Sequence, residues 1–334
     1  PRSTLFPYTT LFRSEFVGPL AWGKGPVIFN EENAHIYEEY LGNRYGGNYV
    51  IWVLGGDRDP NQEIYRKVWR AMAEGLKTGD KGRNLITYHP TALHSSSEWL
   101  HQESWLDFNM IQTGVRFDHD NYNMMFRDYD KTPVKPVVDG EARYENSHEF
   151  FFENPPVGRH VTAHQVRKAA YNSVLSGAMG HTYGCRDVWS YYVPSDAAPT
   201  RDVCLHWETA MDLPGAFQMG YLKKLMLDYP FYKLVPDRKR KLVVHGSEEG
   251  ATYVPAAISE NGDFALVYIP ENQSVYIDLS IFEEKRIAAL WFNPRKGTYT
   301  QDSYHYNTNT FARFAPPCDD KEPDYVLVLR VEEA

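Results

Sequence analysis

Lys135-Pro-Val-Val-Asp-Gly-Glu-Ala-Arg-Tyr-Glu145 is the stretch from which the fold can be read. Pro136-Val137-Val138 is a short apolar run, the pattern of a strand buried on both faces. It ends in Asp139-Gly140-Glu141, which sets a carboxylate just past the strand. Upstream, Tyr49-Val-Ile-Trp-Val-Leu54 repeats the arrangement with more β-branched and aromatic residues, and it ends in Gly55-Gly56-Asp57. Two buried-type strands therefore each deliver an acid at their C-terminal end. In a parallel α/β barrel that edge carries the active site. Asp57 and Glu141 are thus a candidate catalytic pair.

Working outward, helical and strand periodicities alternate. Strands are expected near 16–20, 49–54, 85–88, 106–112, 134–139 and 177–183. Helices are expected from Asn30 to about Gly46, from Ile64 to Leu76, from Thr162 to Leu175 and from Gly215 to Asp228. This βα spacing predicts a parallel α/β fold, a (β/α)8 TIM barrel. Six such units do not fill eight. If the two acids sit on strands four and seven, strands three to eight are present and the barrel is N-terminally truncated. Pro1–Ser14 (Pro-Arg-Ser-Thr-Leu-Phe-Pro-Tyr-Thr-Thr-Leu-Phe-Arg-Ser) has neither periodicity nor an initiator Met, and it lacks the charged start and apolar core of a signal peptide. It resembles a translated sequencing-adapter scar from a metagenomic reading frame. Residues 1–14 are expected to be non-native and disordered, with the catalytic domain spanning 15–230.

From about Phe231 the texture changes to short strands at 241–244, 264–269, 274–279, 287–292 and 325–329, separated by turns such as Asn261-Gly262-Asp263. No long helix intervenes. Residues 231–334 are expected to form an antiparallel β-sandwich, packed against the first domain because no low-complexity linker separates the two.

Composition narrows the function. The chain has 334 residues and a formal charge of −9, and its mean hydropathy is −0.53. That acidity argues against nucleic acid as a partner, and no run is long enough for a membrane helix. The 24 Tyr and 8 Trp suit a sugar-binding protein, whose aromatic faces stack on pyranose or furanose rings. Cys185, Cys204 and Cys318 form no CxxC and have no metal-like spacing with His. Free structural thiols are the simpler reading, with a Cys185–Cys204 bridge left open. The scattered His119, His148, His160 and His164 suggest no metal site.

Two acids of different protonation state are what glycosidic hydrolysis needs. One protonates the leaving oxygen; the other attacks the anomeric carbon or activates water. Gly55-Gly56 allows a sharp turn with room for a sugar. Arg58 and Arg143 lie close in sequence to the acids, and Tyr144 is placed to donate to Glu141. Either acid alone also fits a turn, a helix cap or a solvated strand end.

Several stretches together resemble the apiosidase-like glycoside hydrolases, of the glycoside hydrolase family 140 type. They are Tyr49–Asp57, Thr87-Tyr-His-Pro90 with Ser95-Ser-Ser97, Trp105–Gln112, Lys135–Glu141 and Gly180-His-Thr-Tyr-Gly184. The resemblance runs from residue 15 onward and implies a bacterial enzyme with a TIM barrel followed by a β-sandwich. It implies Asp57 as acid/base, Glu141 as nucleophile, a retaining mechanism, no cofactor and no metal. The implied activity is release of apiose from pectic rhamnogalacturonan II. Another exo-glycosidase on the same barrel, or a non-catalytic carbohydrate- or matrix-binding protein, are the alternatives. An exported enzyme is expected, because its polymeric substrate is extracellular or periplasmic; oligomeric state stays open, and the truncated chain is expected to be weakly active or inactive. Trp22, Arg58, His89, Gln112, Tyr144, Tyr183 and Trp189 lie near the acids or at predicted strand ends and are candidate substrate contacts. For His89, strand-end packing is an equal reading, and for Trp22 and Trp189 hydrophobic core is the slightly better one. The C-terminal module resembles collagen-binding-type domains, and a structural or sugar-binding role suits it better.

Overall fold

The computed structural model describes residues 10–14, 28–114, 116, 120–150, 153, 157–194, 205–283, 286–307, 310–317 and 323–332. The first elements are β1 (Thr10–Ser14), α1 (Glu31–Tyr45), β2 (Val50–Gly55), α2 (Glu63–Asp80), β3 (Ile86–His89), β4 (His94–Ser95), α3 (Ser97–Leu100), β5 (Asn109–Gln112), α4 (Asn121–Tyr129) and β6 (Val137–Glu141). Contacts divide the chain into two compact units, residues 1–113 with 127–140, and residues 114–126 with 141–334. No helix among the described residues is long and apolar enough to cross a membrane.

In the first unit β1, β2 and β3 form a parallel sheet in that order. Against the expectation for residues 1–14, Thr10–Ser14 pairs in register with Val50–Leu54. Thr and Phe are strand-favouring residue types, and the pairing covers an edge of β2 whose backbone groups would otherwise lack a strand partner. The strand expected at 16–20 lies outside the described residues. β4, β5 and β6 are neighbours in a second sheet. The Asn109 N–H donates to the Pro136 carbonyl and the Gly114 N–H to the Glu141 carbonyl; this constant offset makes β5 and β6 parallel.

Strand β2 is buried on both faces, as its unbroken apolar run requires. Trp52 and Leu54 pack with Val68, Met72 and Leu76 of α2, whereas Ile51 and Val53 turn to Phe108, Met110 and Val138. The Trp52 indole N–H donates to Asp80 at 2.8 Å, so a buried acid at the end of α2 fixes the strand against its helix. α1 opens with a reciprocal cap between Asn30 and Asn33. It packs on α2 through glycines: a Cβ on Gly79 would lie 2.3 Å from the Glu39 carbonyl oxygen. The strand expected at 106–112 begins only at Asn109, because Asp107 turns to accept the Ile86 N–H at 2.7 Å.

The second unit continues with β7 (Tyr144–Glu145), β8 (His148–Phe150), β9 (Val157–His160), α5 (Ala163–Leu175), β10 (Gly180–His181), β11 (Gly184–Cys185), α6 (Arg186–Trp189), α7 (Trp207–Ala210) and α8 (Pro214–Asp228). The strand expected over 177–183 is reduced to the two residues of β10, and β11 follows just beyond it. Gly177 at φ 103° turns the chain first. After α8 come β12 (Leu234–Pro236), β13 (Val243–His245), β14 (Ala256–Ser259), β15 (Phe264–Ile269), β16 (Val275–Asp278), β17 (Arg286–Asn293), β18 (Thr298–Asn307), β19 (Phe311–Phe314) and β20 (Tyr325–Val331). They form a six-stranded sheet, β12-β14-β15-β20-β17-β18, and a three-stranded sheet, β13-β16-β19. Every pairing in these sheets is antiparallel.

The larger sheet is covered twice. Ala265, Val267 and Ile269 of β15 and Leu327 and Leu329 of β20 meet Val275, Ile277 and Phe314 of the smaller sheet. On its other face Leu266, Tyr268, Val326 and Val328 meet Ala170, Tyr171 and Leu175 of α5 and Leu222, Leu225 and Met226 of α8. The sequence boundary at 230 therefore marks a change from helices to strands, while α5 and α8 share a core with the sheet that follows them.

Candidate active site

Asp57 stands at the end of β2 on a turn built by three successive residues with positive φ: Gly55 at 80°, Gly56 at 152° and Asp57 at 48°. At Gly55 the left-handed backbone and crowding coincide. A Cβ there would lie 2.7 Å from the His89 carbonyl oxygen and from the Tyr88 ring. Asp57 pays local strain for this position, and its neighbours hold it there. Its N–H points at His89 Nδ1 at 3.5 Å. The Tyr88 hydroxyl donates to the Arg58 carbonyl at 3.0 Å, and the Thr91 hydroxyl donates to Asp59 at 2.7 Å. The loop after β2 is thus tied down by the end of β3, and it presents Asp57 to solvent.

Strand β6 ends in a different setting. Asp139 is fully buried and accepts from the Thr113 hydroxyl at 3.1 Å, so it is a joint between β5 and β6. Gly140 lies against Met110, whose Cγ would be 2.5 Å from an added Cβ. Glu141, the last residue of the strand, accepts a 2.6 Å hydrogen bond from the Tyr144 hydroxyl. A donor of this kind favours the ionised carboxylate. Arg143 is buried, and its guanidinium donates to the Arg116 carbonyl at 3.2 Å.

Of the other expected site residues, His89 is buried at the end of β3 with Nδ1 toward the Asp57 N–H. Gln112 ends β5; it is 6% exposed, and its Oε1 is buried with no hydrogen-bond partner among the described residues. A buried acceptor of that kind suits a ligand hydroxyl. Arg58 is anchored through its main chain by Tyr88. Tyr183 donates to Glu145 Oε2 at 2.6 Å, and burial, then the neighbouring Glu145 charge, push its hydroxyl far above the usual range. Trp189 is exposed, with the Arg186 guanidinium 4.6 Å from its ring centre. Trp22 lies outside the described residues. Cys185 is a free buried thiol, raised by burial; Cys204 and Cys318 lie outside the described residues.

Sequence reading passed over Asp59, Thr91, Thr113 and Glu145, whose roles come only from partners distant in sequence. The Ser95-Ser-Ser97 motif also proves to be an anchor. Ser95 and Ser97 donate to buried Asp128, and the Ser96 hydroxyl accepts the Met110 N–H at 3.0 Å.

Residues 8–233 match the apiosidase-like catalytic domain, and residues 235–330 match a collagen-binding-like domain of a collagenase. Among curated proteins none matches the sequence. Among solved structures, a glycoside hydrolase of 28% identity superposes with a TM-score of 0.81, over 91% of this chain and 69% of that one. A glycoside hydrolase family 5 structure from Bacteroides vulgatus ATCC 8482 is 30% identical, also at 0.81, over 91% of this chain and 67% of that one. These neighbours are hydrolases of the TIM-barrel type, which is the setting in which strands like β2, β3, β5 and β6 deliver residues to one edge. The chain belongs to the apiosidase-like family of glycoside hydrolases.

Proposed function

We propose that this glycoside hydrolase is a retaining exo-enzyme that releases apiose from side chains of pectic rhamnogalacturonan II. Glu141 acts as nucleophile and Asp57 as acid/base. The observation that carries the reading is the contrast between the two acids. Glu141 holds a 2.6 Å bond from the Tyr144 hydroxyl, which favours the charged form a nucleophile needs. Asp57 is exposed on its turn, where it can exchange protons with solvent and leaving group.

In the first step a Glu141 oxygen bonds to the anomeric carbon while the glycosidic C–O bond breaks. The Asp57 carboxyl gives its proton to the departing oxygen. In the second, Asp57 takes a proton from water, the water oxygen attacks the anomeric carbon, and the bond to Glu141 breaks. Sugar is released with its configuration kept and both acids return to their starting states. The chemistry needs no cofactor. Gln112 supplies an acceptor for a sugar hydroxyl.

The test is incubation with rhamnogalacturonan II, with sugar analysis and NMR of the first-formed anomer. A 2-deoxy-2-fluoro glycosyl donor should label Glu141 in peptide maps. Asp57→Ala and Glu141→Ala should each lose activity, Asp57→Ala by about 10²–10⁴-fold. Parent-level turnover in either variant refutes the assignment. Inversion refutes the retaining mechanism, and release of a different pentose or deoxyhexose replaces the sugar alone. A polymeric substrate further places the enzyme outside the cytoplasm, and recovery of the protein only in the cytosolic fraction of the producing cells would contradict this.

A further inference from the structure

We propose that Gly184 and Tyr183, acting through Tyr144 and Glu145, are positioning residues that hold the Tyr144 hydroxyl on Glu141. The inference rests on the reading of Glu141 as nucleophile only for its catalytic consequence; the geometry is independent of it.

The arrangement starts from a two-residue parallel pairing, Gly184 beside Tyr144 and Cys185 beside Glu145. The Tyr144 ring packs closely against Gly184. A Cβ on Gly184 would fall 2.3 Å from Tyr144 Cδ1 and 2.4 Å from Cε1. Gly184 does not have a left-handed backbone, so glycine is needed here for space alone. Any side chain must push the ring off the position from which its hydroxyl reaches Glu141 at 2.6 Å.

The other side of the pairing is pinned. Glu145 is 3% exposed. Its Oε1 accepts the Gly215 N–H at 3.1 Å, in the first turn of the fifteen-residue α8. Its Oε2 accepts the Tyr183 hydroxyl at 2.6 Å. A helix N-terminus and a buried hydroxyl together suit a carboxylate. Gly215 again leaves no room to spare, since a Cβ there would lie 2.4 Å from Glu145 Oε2. Tyr183 immediately precedes Gly184, and Glu145 immediately follows Tyr144. The Tyr183–Glu145 bond therefore crosses the same pairing that seats the Tyr144 ring, and it locks β11 against β7. Motion of either strand is transmitted to the hydroxyl on Glu141.

The readout is the ionisation of Glu141 itself, followed by NMR of protein carrying carbon-13 at the glutamate side-chain carboxyls. The resonance absent from Glu141→Gln identifies Glu141. Tyr144→Phe should raise its titration midpoint by about one pH unit, the scale of one hydrogen bond to a charged group. Gly184→Ala should raise it similarly, and Gly184→Ala combined with Tyr144→Phe should shift it no further than Tyr144→Phe alone. Tyr183→Phe, which adds no volume, should also raise the midpoint in the parent and leave it unmoved in the Tyr144→Phe background. It decides the matter if Gly184→Ala does not fold. A parent-like midpoint in Gly184→Ala or Tyr183→Phe, or shifts that add to that of Tyr144→Phe, overturns the proposal. Because no substrate is needed, that outcome is separate from failure of the glycosidase assignment, which would show as turnover by Glu141→Ala.

Discussion

Asp324→Asn tests whether the helices and the sandwich share one energetic core. Asp324 and Arg167 are both fully buried. Arg167, on α5, donates through Nε and Nη2 to the two Asp324 oxygens, each at 2.8 Å, and through Nη1 to Gln218 Oε1 at 2.6 Å. Arg295 Nη1 and the Tyr268 hydroxyl donate to the same carboxylate at 2.8 and 3.0 Å. Neutralising Asp324 deprives two guanidinium groups, those of Arg167 and Arg295, of their counter-charge. Removing one partner of such a buried pair costs about 3–5 kcal/mol. With a slope of about 2 kcal/mol per molar urea, the unfolding midpoint should fall by about 1.5–2.5 M. The assay is urea unfolding of the whole chain followed by tryptophan fluorescence and far-UV circular dichroism. Glu63→Gln, at the exposed pair with Arg66 and Arg70, is the control and should leave the midpoint within error. The acid response carries a sign. Burial pushes Asp324 up, but hydrogen bonds and charge from Arg167, aided by His164 and Arg295, outweigh it and hold the carboxyl below its ordinary range. A depressed folded value gives stability that is complete above the unfolded value, near 4, and is lost as pH falls through the folded one. The gap between parent and variant should be full at pH 7 and close only in strong acid. A midpoint loss below about 0.3 M at pH 7 would refute the reasoning, as would a gap already closing near neutrality.

Two further substitutions probe the first unit. In Gly79→Ala the new Cβ meets the Glu39 carbonyl oxygen at 2.3 Å and the Asn43 nitrogen at 2.6 Å, both rigid backbone. Alanine gains about 1 kcal/mol of helix propensity, but overpacking of about 1–3 kcal/mol should win; a higher melting temperature would contradict this. Gln112→Leu removes a buried acceptor without a partner among the described residues, so stability should hold or rise. KM should rise by about 2–10-fold, as expected for one hydrogen bond to a neutral hydroxyl, and an unchanged KM would assign Gln112 to the scaffold.

Legibility in the sequence followed how local each cause was. The β2 run Tyr49–Leu54, the α5 pattern and the acids after Gly-Gly and Asp-Gly could be read because periodicity and turn chemistry act within a few residues. Strand β14, Ala-Ala-Ile-Ser, has weak β propensity and exists because β12 and β15 flank it. Strand β18 is polar along Thr298–Gln301 and is held by its ladder with β17. The same limit applies at the site. Tyr144 could be matched with Glu141 because they are three residues apart, whereas Glu145 finds Tyr183 thirty-eight residues away and Gly215 seventy away. Ser95 and Ser97 read as part of a family motif, but their partner Asp128 lies beyond any local window. Thr10–Ser14 read as foreign because it has no period of its own, and it is ordered by the edge of β2.

The two-faced sheet changes what the C-terminal module is for. If β15 and β20 served only a sandwich, their outer residues would alternate with polar ones facing water. Instead Leu266, Tyr268, Val326 and Val328 are buried under α5 and α8. α8 in turn carries at its first turn the Gly215 N–H that holds Glu145, and Glu145 is bonded to the residue whose hydroxyl rests on Glu141. Support therefore runs from the sheet, through a helix that needs that sheet to bury its apolar side, to the carboxylate at the end of β6. A sugar-binding accessory could be removed and leave such a carboxylate in place. A module that supplies the second wall of a helix core cannot, since α8 would expose Leu222, Leu225 and Met226 and lose the packing that orients its N-terminus.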